Sequence, residues 1–191
     1  TEEYWLREAN LLKSISHPQI PRYIDQYVAE VEGRRLAHLV QEFVEGQSLS
    51  NQLQKKKFTE TEIIHLLADL LQILSYLHSL RPCIIHRDIK PSNILLRDNN
   101  EVVLIDFGLA INQIKIEYGQ TMAVGTIGYQ APEQIRGEAT IRSDLYSVGV
   151  LAVQLLTMED PSSLLDGMRL RWEQSCLHLS LELQRWLEKV L

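Results

Sequence analysis

An α+β chain, with a small mixed N-terminal portion and a larger helical portion, is predicted from three features. A helix-like segment and two strand-like runs fill the first part of the sequence, up to about residue 47. From Gly46 onward the apolar residues recur mostly at helical spacing. Near the end, Asp144–Thr157 is apolar almost all round, as a helix buried within a domain is.

The 191 residues allow one domain, or one and a piece of another. Thr1–Ser16 reads as a helix in which Tyr4, Glu8, Leu12 and Ile15 share a face. Glu8 then lies on an apolar stripe, where a carboxylate needs a cationic partner. His17-Pro18 and Pro21 end that helix. Tyr23–Val31 and Arg35–Val44 read as strands joined by a turn at Glu32-Gly33, and Gly46 marks a break. Thr59-x-x-Glu62 is a capping-box pattern, and Ile63, Leu66, Leu67, Leu70, Leu74 and Leu77 continue a long amphipathic helix to about Ser79. Ile94–Leu96 and Val102–Ile105 form a hairpin around Asp98-Asn99-Asn100. Gly108–Gln130 shows little periodicity, and Trp172–Leu191 is a weaker amphipathic pattern.

Composition narrows the function. Apolar residues at 45% and charged residues at 23% are ordinary for a globular chain, which argues against disorder, collagen-like repeats and a coiled coil. With 19 basic and 25 acidic residues, the net charge of −6 speaks against nucleic acid or an anionic membrane as partner. Cys83 and Cys176 are too few for a disulfide scaffold and point to a reducing, cytoplasmic setting. The longest apolar stretch, around Leu145–Met158, is too short to cross a bilayer, so no membrane contact is expected within this segment. The opening TEEYWLREAN lacks an initiator Met, a basic cluster and an apolar secretory run, and reads as the middle of a longer chain.

The chemistry is suggested by the hairpin. Asn93 immediately precedes its first strand and Asp106 immediately follows its second, so antiparallel pairing brings an amide oxygen and a carboxylate to one open end. Hard oxygens of this kind suit Mg²⁺, which keeps phosphate oxygens and waters as its other ligands. Asp88 and Lys90 lie just upstream and add a base and a cation, an inventory for phosphoryl transfer.

At these residues the sequence resembles a known family. His86–Asn93 (HRDIKPSN) is similar to the catalytic loop of eukaryotic-type (Hanks-type) serine/threonine protein kinases. Asp106-Phe107-Gly108 resembles their metal-binding triplet, and Ala131-Pro132-Glu133 the end of their activation segment. Each triplet alone is a weak signal. Their order, with Asn93 five residues after Asp88 and Gly125-Thr126 shortly before Ala131, makes a strong one. Lys90-Pro91-Ser92 resembles the serine/threonine branch, and the general flavour is bacterial.

The resemblance implies a protein-kinase-like fold: residues 1–47 as a truncated small lobe with the Glu8 helix, strands and hinge, and residues 48–191 as a mostly helical large lobe, incomplete at its end. It also implies transfer of the γ-phosphoryl of ATP to Ser or Thr hydroxyls of protein substrates, with Mg²⁺. By the same resemblance, Asp88 handles the proton of the attacking hydroxyl, Lys90 steadies the phosphoryl group, and Asn93 and Asp106 hold Mg²⁺. Glu42 and Val44 present backbone to the adenine edge, Leu95 packs beneath the ring, Gln41 sits at the back of the pocket, and Ser48 approaches the ribose. Thr126 orients Asp88, and Asp144 opens the buried helix and braces the backbone near His86. Glu8 pairs with a lysine that positions the phosphates.

Two departures accompany this pattern. The 191 residues contain no G-x-G-x-x-G loop and no lysine ahead of Glu8, and the arginine that pairs with Glu133 in the family is not evident, Arg185 being a poor candidate. The expectation is therefore a kinase fragment that binds nucleotide weakly and turns over poorly. A non-catalytic kinase-like binding or scaffold module is the alternative, and a small-molecule phosphotransferase a third reading. Plainer readings stand beside these: turn or cap chemistry for Asp88, Asn93 and Asp106, an N-cap for Asp144, and a solvated loop for Lys55–Lys57. His86 reads as structural, not as a base. Arg87, beside Asp88, is expected to gather a phosphate on the activation segment, with Thr121 as its acceptor among Tyr118, Thr121 and Thr126.

Overall fold

A computed structural model of the chain describes residues 2–31, 33–112, 125–176 and 179–191. Helix α1 runs Glu2–Ser14. Leu12 on it and Ile15 just beyond it are buried, together with Ala9 and Leu11, while Glu8 is half-buried. Strand β1 (Tyr23–Val31) pairs antiparallel with β2 (Arg34–Gln41), in register from Tyr23↔Gln41 to Val31↔Arg34. Gly33 turns the chain at φ 74°; Glu32, the other residue of the expected turn, lies outside the described residues. The second strand ends at Gln41, not at Val44 as expected, because beyond the Tyr23↔Gln41 pair the Arg22 N–H is taken by the Glu42 side-chain carboxylate at 3.3 Å. The Glu42 N–H donates to the Arg22 carbonyl at 2.8 Å. At Gly46 a Cβ would stand 2.8 Å from the Leu96 carbonyl oxygen, so only glycine passes there.

The remaining elements follow in order: β3 (Gln47–Ser48), α2 (Leu49–Leu53), α3 (Glu60–Ser79), β4 (Ile84–Ile85), β5 (Ile94–Leu96), β6 (Val102–Leu104), β7 (Ile111–Asn112), α4 (Pro132–Ile135), α5 (Ile141–Thr157), β8 (Leu165–Asp166), β9 (Arg169–Leu170) and α6 (Leu181–Val190). Strands β3, β5 and β6 form an antiparallel sheet in that order, and β4 pairs with β7.

Helix α3 starts where the capping box places it: Thr59 accepts from the Glu62 N–H, and the Glu62 carboxylate accepts from the Thr59 N–H at 2.8 Å. Its apolar stripe is buried throughout. Helix α5 begins three residues before Asp144, with Thr140 as N-cap, so the cap reading for Asp144 is replaced by a place inside the helix. The stretch from Trp172 is helical only in its second half. Ser180 caps the Leu183 N–H and fixes the start of α6, while Trp172 and Cys176 are buried in the turns before it. One buried cluster joins Leu11, Leu12 and Ile15 to the stripe of α3 and to Val150 and Val153 of α5. Helices α5 and α6 meet closely: a Cβ on Gly149 would lie 2.7 Å from a methyl of Val190.

The capping box gives two expectations. Thr59→Ala lowers stability by about 1 kcal/mol in a urea melt. Hydrogen bonds from Lys56 and from the Thr59 N–H and hydroxyl pull the Glu62 carboxyl down to about 2. A depressed carboxylate stabilises the fold above its ordinary value and loses that contribution as pH falls. The stability of the parent chain therefore drops between about pH 4.5 and pH 2 through this group, and Glu62→Gln shows a shallower decline over the same range.

Candidate active site

The segment between β4 and β5 holds the residues expected to be catalytic, and it folds around a buried carboxylate. Asp144, fully buried on α5, accepts the backbone N–H of His86 at 3.0 Å and of Arg87 at 2.9 Å. The His78 Nε2 lies 2.8 Å from its Oδ2, and since a carboxylate only accepts, that nitrogen carries the proton. Arg87 is held at φ 65°, a left-handed conformation that side-chain-bearing residues rarely adopt. The His86 ring is fully buried edge-on against Phe107, with its centroid 4.9 Å away. Burial pushes its pKa below the usual histidine range, against the pull of Asp144, Asp88 and Asp106. A neutral packing residue results, as the sequence suggested.

Four polar groups converge one step along the chain. The Asp88 carboxylate is 6% exposed. Its Oδ1 accepts from the Thr126 hydroxyl at 2.8 Å. Its Oδ2 lies 2.7 Å from Lys90 Nζ and accepts from Asn93 Nδ2 at 2.9 Å. Lys90 Nζ also donates to Thr126 Oγ1 at 2.8 Å. Asn93 Nδ2 is additionally within 2.9 Å of the Asp88 carbonyl. The amide nitrogen of Asn93 thus faces Asp88, which leaves its Oδ1 for another partner; Ser92 Oγ approaches that oxygen at 3.2 Å.

The hairpin delivers the second carboxylate. Ile94 pairs with Leu104, and the Ile105 N–H donates to the Asn93 carbonyl at 2.9 Å, so Asp106 follows directly at the same end. Asp106 is exposed, at φ 65°, and its Oδ1 accepts the Gly108 N–H at 3.2 Å. Glu8 faces it: a Cβ on Gly108 would sit 3.2 Å from Asp106 Oδ1 and 3.6 Å from Glu8 Oε2. Burial first, and then the Asp106 charge, push the Glu8 carboxyl up, opposed by a hydrogen bond from the Phe107 backbone. Asn93 and Asp106 leave the hairpin at the same end; an amide oxygen and a carboxylate are donors that fit a hard divalent cation, and the negative charge of Glu8 and Asp106 suits a cationic neighbour.

The residues expected around a nucleotide are spread along one edge. Gln41 ends β2 and is exposed instead of sitting at the back of a pocket, because the paired strand β1 gives it no cover. Glu42 and Val44 are half-exposed in the connector, where the Glu42 carboxylate accepts from Arg22 Nε at 3.0 Å. Ser48 spends its hydroxyl as the N-cap of α2, accepting from the Asn51 N–H at 3.2 Å, rather than holding it open for a ribose. Leu95 is half-buried between the covered Ile94 and Leu96. Tyr118 and Thr121 lie outside the described residues. Sequence reasoning missed His78 on Asp144, the Arg87 Nε bond to the Leu109 carbonyl at 2.7 Å, and Gln134, whose Nε2 donates to the Arg87 carbonyl at 2.7 Å. None of the three has a periodic signal; a buried glutamine directly after Ala131-Pro132-Glu133 was the only hint.

Residues 1–185 match the family model described as protein kinase domain. The chain is 37% identical to serine/threonine-protein kinase B of Synechocystis sp., over 85% of this chain and 29% of that protein. It is 36% identical to serine/threonine-protein kinase C of the same organism, over 99% of this chain and 37% of that protein. Against serine/threonine-protein kinase PknB of Mycolicibacterium smegmatis the identity is 38%, over 81% and 25%. The chain thus spans roughly a quarter to just over a third of the length of these relatives.

Asp144 can be tested by truncation. Asp144→Ala leaves two buried backbone N–H groups without their charged acceptor and costs about 3 kcal/mol in denaturant unfolding. Asp144→Asn keeps one acceptor oxygen and costs less.

Proposed function

Because the chain belongs to the protein kinase domain family, we propose that it serves as the catalytic core of a protein serine/threonine kinase, transferring the γ-phosphoryl of ATP to Ser or Thr hydroxyls of proteins. One observation carries this reading: Lys90, Asn93 and Thr126 all hydrogen-bond or ion-pair with the Asp88 carboxylate beside Asp106. A binding module has no use for a carboxylate oriented by three separate side chains next to a second acid.

In this proposal Asp88 accepts the proton of the acceptor hydroxyl as its oxygen bonds to the γ-phosphorus and the bond to the β-phosphate oxygen breaks, releasing ADP. Thr126 and Lys90 hold the Asp88 carboxylate in one orientation, and Lys90 stands ready for the transferring phosphoryl oxygens. The Asn93 amide oxygen and Asp106 hold Mg²⁺, which when bound neutralises charge on the triphosphate. Glu42 and Val44 offer backbone to adenine above Leu95. Residues 1–47 act as the small-lobe part and residues 48–191 as the large lobe. Glu8 takes a cationic partner near the phosphates.

Cys83 and Cys176 are both buried free thiols, and burial pushes the Cys176 thiol up to about 11. Two cysteines, too few for a disulfide scaffold, support a cytoplasmic setting. Among the described residues, no helix is long and apolar enough to cross a membrane.

Phosphotransfer from labelled ATP to a protein acceptor, in the full-length protein, tests the proposal. Asp88→Asn is expected to lower kcat at least about a hundredfold without loss of the folded state. Equal rates in parent and variant reject the role of Asp88. A folded parent that binds partners or nucleotide but transfers nothing favours the non-catalytic module.

A further inference from the structure

Gln134 is 2% exposed on the four-residue helix α4. Backbone bonds from Ile135 to Ala131, Gly137 to Gln134 and Glu138 to Glu133 close α4, and the Ser143 hydroxyl donates to the Glu133 carboxylate at 2.6 Å. The Gln134 amide instead reaches across to the catalytic loop. Its Nε2 donates at 2.7 Å to the carbonyl of Arg87, the peptide group that leads into Asp88. That peptide belongs to a residue at φ 65°, a conformation that persists only where its surroundings impose it.

The same amide nitrogen lies against a second segment. A Cβ added to Gly125 would stand 2.7 Å from Gln134 Nε2, and Gly125 is at φ 130°. The next residue is Thr126, whose hydroxyl bonds Asp88 Oδ1 at 2.8 Å. A ring therefore closes through Gln134, the Arg87–Asp88 peptide, the Asp88 carboxylate, Thr126 and Gly125. Moving the amide moves both ends of the Asp88–Thr126 contact.

We infer that Gln134 is a positioning residue: its amide locks Gly125-Thr126 onto the catalytic loop and thereby sets where a protein acceptor meets Asp88. The inference rests on the phosphotransfer reading above for its kinetic consequence, and on the contacts themselves for its structural one.

The full-length protein tests it with Gln134→Glu, which keeps the shape but sets an oxygen against the Arg87 carbonyl, and with a cycle of Gly125→Ala, Gln134→Ala and the double variant. Well below the melting midpoint, Gln134→Glu should lower kcat/KM for a protein acceptor about ten- to a hundredfold, as small misplacements of reacting groups do. The KM for ATP should stay within about twofold of the parent, since no nucleotide contact is lost. In the cycle, the double variant should lose less than the product of the two single losses. Gln134→Ala removes the nearest of the atoms that a new Cβ strikes, whereas the Gln130 side chain at 2.9 and 3.0 Å and the strain of φ 130° at residue 125 are common to both backgrounds and cancel. Amide hydrogen exchange at Asp88 and Thr126 should speed up in Gln134→Glu by more than in the α3 core.

Additive losses in the cycle overturn the inference. So does a parent-like Gln134→Glu in both kinetics and exchange, or a loss that only tracks the melting midpoint. A parent protein that transfers nothing, in which Gln134→Glu still loosens both amides, rejects the phosphotransfer reading and leaves the lock standing.

Discussion

The structure depends on the buried carboxylate of Asp144. A charge removed from water is stable only with its hydrogen bonds made, and here the donors are His78 Nε2–H and two successive backbone N–H groups, of His86 and Arg87. The two backbone donors can point the same way only if the chain turns sharply, which it does by placing Arg87 at φ 65°. A left-handed residue with a side chain costs on the order of 1–2 kcal/mol. Charge-assisted hydrogen bonds to a buried acceptor offset that cost. Core helix and catalytic loop thus stabilise each other, and Asp88 takes its direction from both.

The hairpin β5–β6 acts as the second ruler. Its register runs from Ile94↔Leu104 to Leu96↔Val102, with Ile94, Leu96, Val102, Val103 and Leu104 all buried. Through that register the covered core decides that Asn93 and Asp106 emerge at the same end. Asp106 then turns out of the strand at φ 65°, which exposes its carboxylate, while neighbouring Phe107 stays buried against His86. Polar groups point into the opening because the apolar residues on either side have only one way to be buried.

Much of this was legible in the sequence, for identifiable reasons. The long helix α3 carried both its capping box and an unbroken apolar stripe, so its start and its buried face could be read directly. The hairpin was legible because its turn residues sit between two short apolar runs, and with it came the placing of Asn93 beside Asp106. Legibility failed where tertiary partners decide. Strand β2 stops at Gln41 because the Arg22 N–H that would continue the ladder is taken by the Glu42 side chain, a contact invisible from β2 itself. The amphipathic pattern after Trp172 becomes helix only beyond Ser180, where a cap is available. His78 and Gln134 were missed because a single buried polar side chain leaves no periodic trace; only the backbone groups that they meet, from distant parts of the chain, give them a role.

The charge arrangement at the opening carries the last step of the argument. Glu8 and Asp106 approach one another from a helix and a hairpin that share the same core, so their closeness is imposed by packing and not by mutual attraction. Burial first, and the Asp106 charge second, raise the free energy of the ionised Glu8 carboxylate and displace its pKa upward. Among the described residues, a hydrogen bond from the Phe107 backbone is what opposes it. An arrangement of this kind is stabilised by whatever positive charge enters it, whether a lysine side chain or a magnesium ion with its phosphates. A cation held there would relieve the repulsion between Glu8 and Asp106, as protonation of the raised Glu8 carboxyl also does.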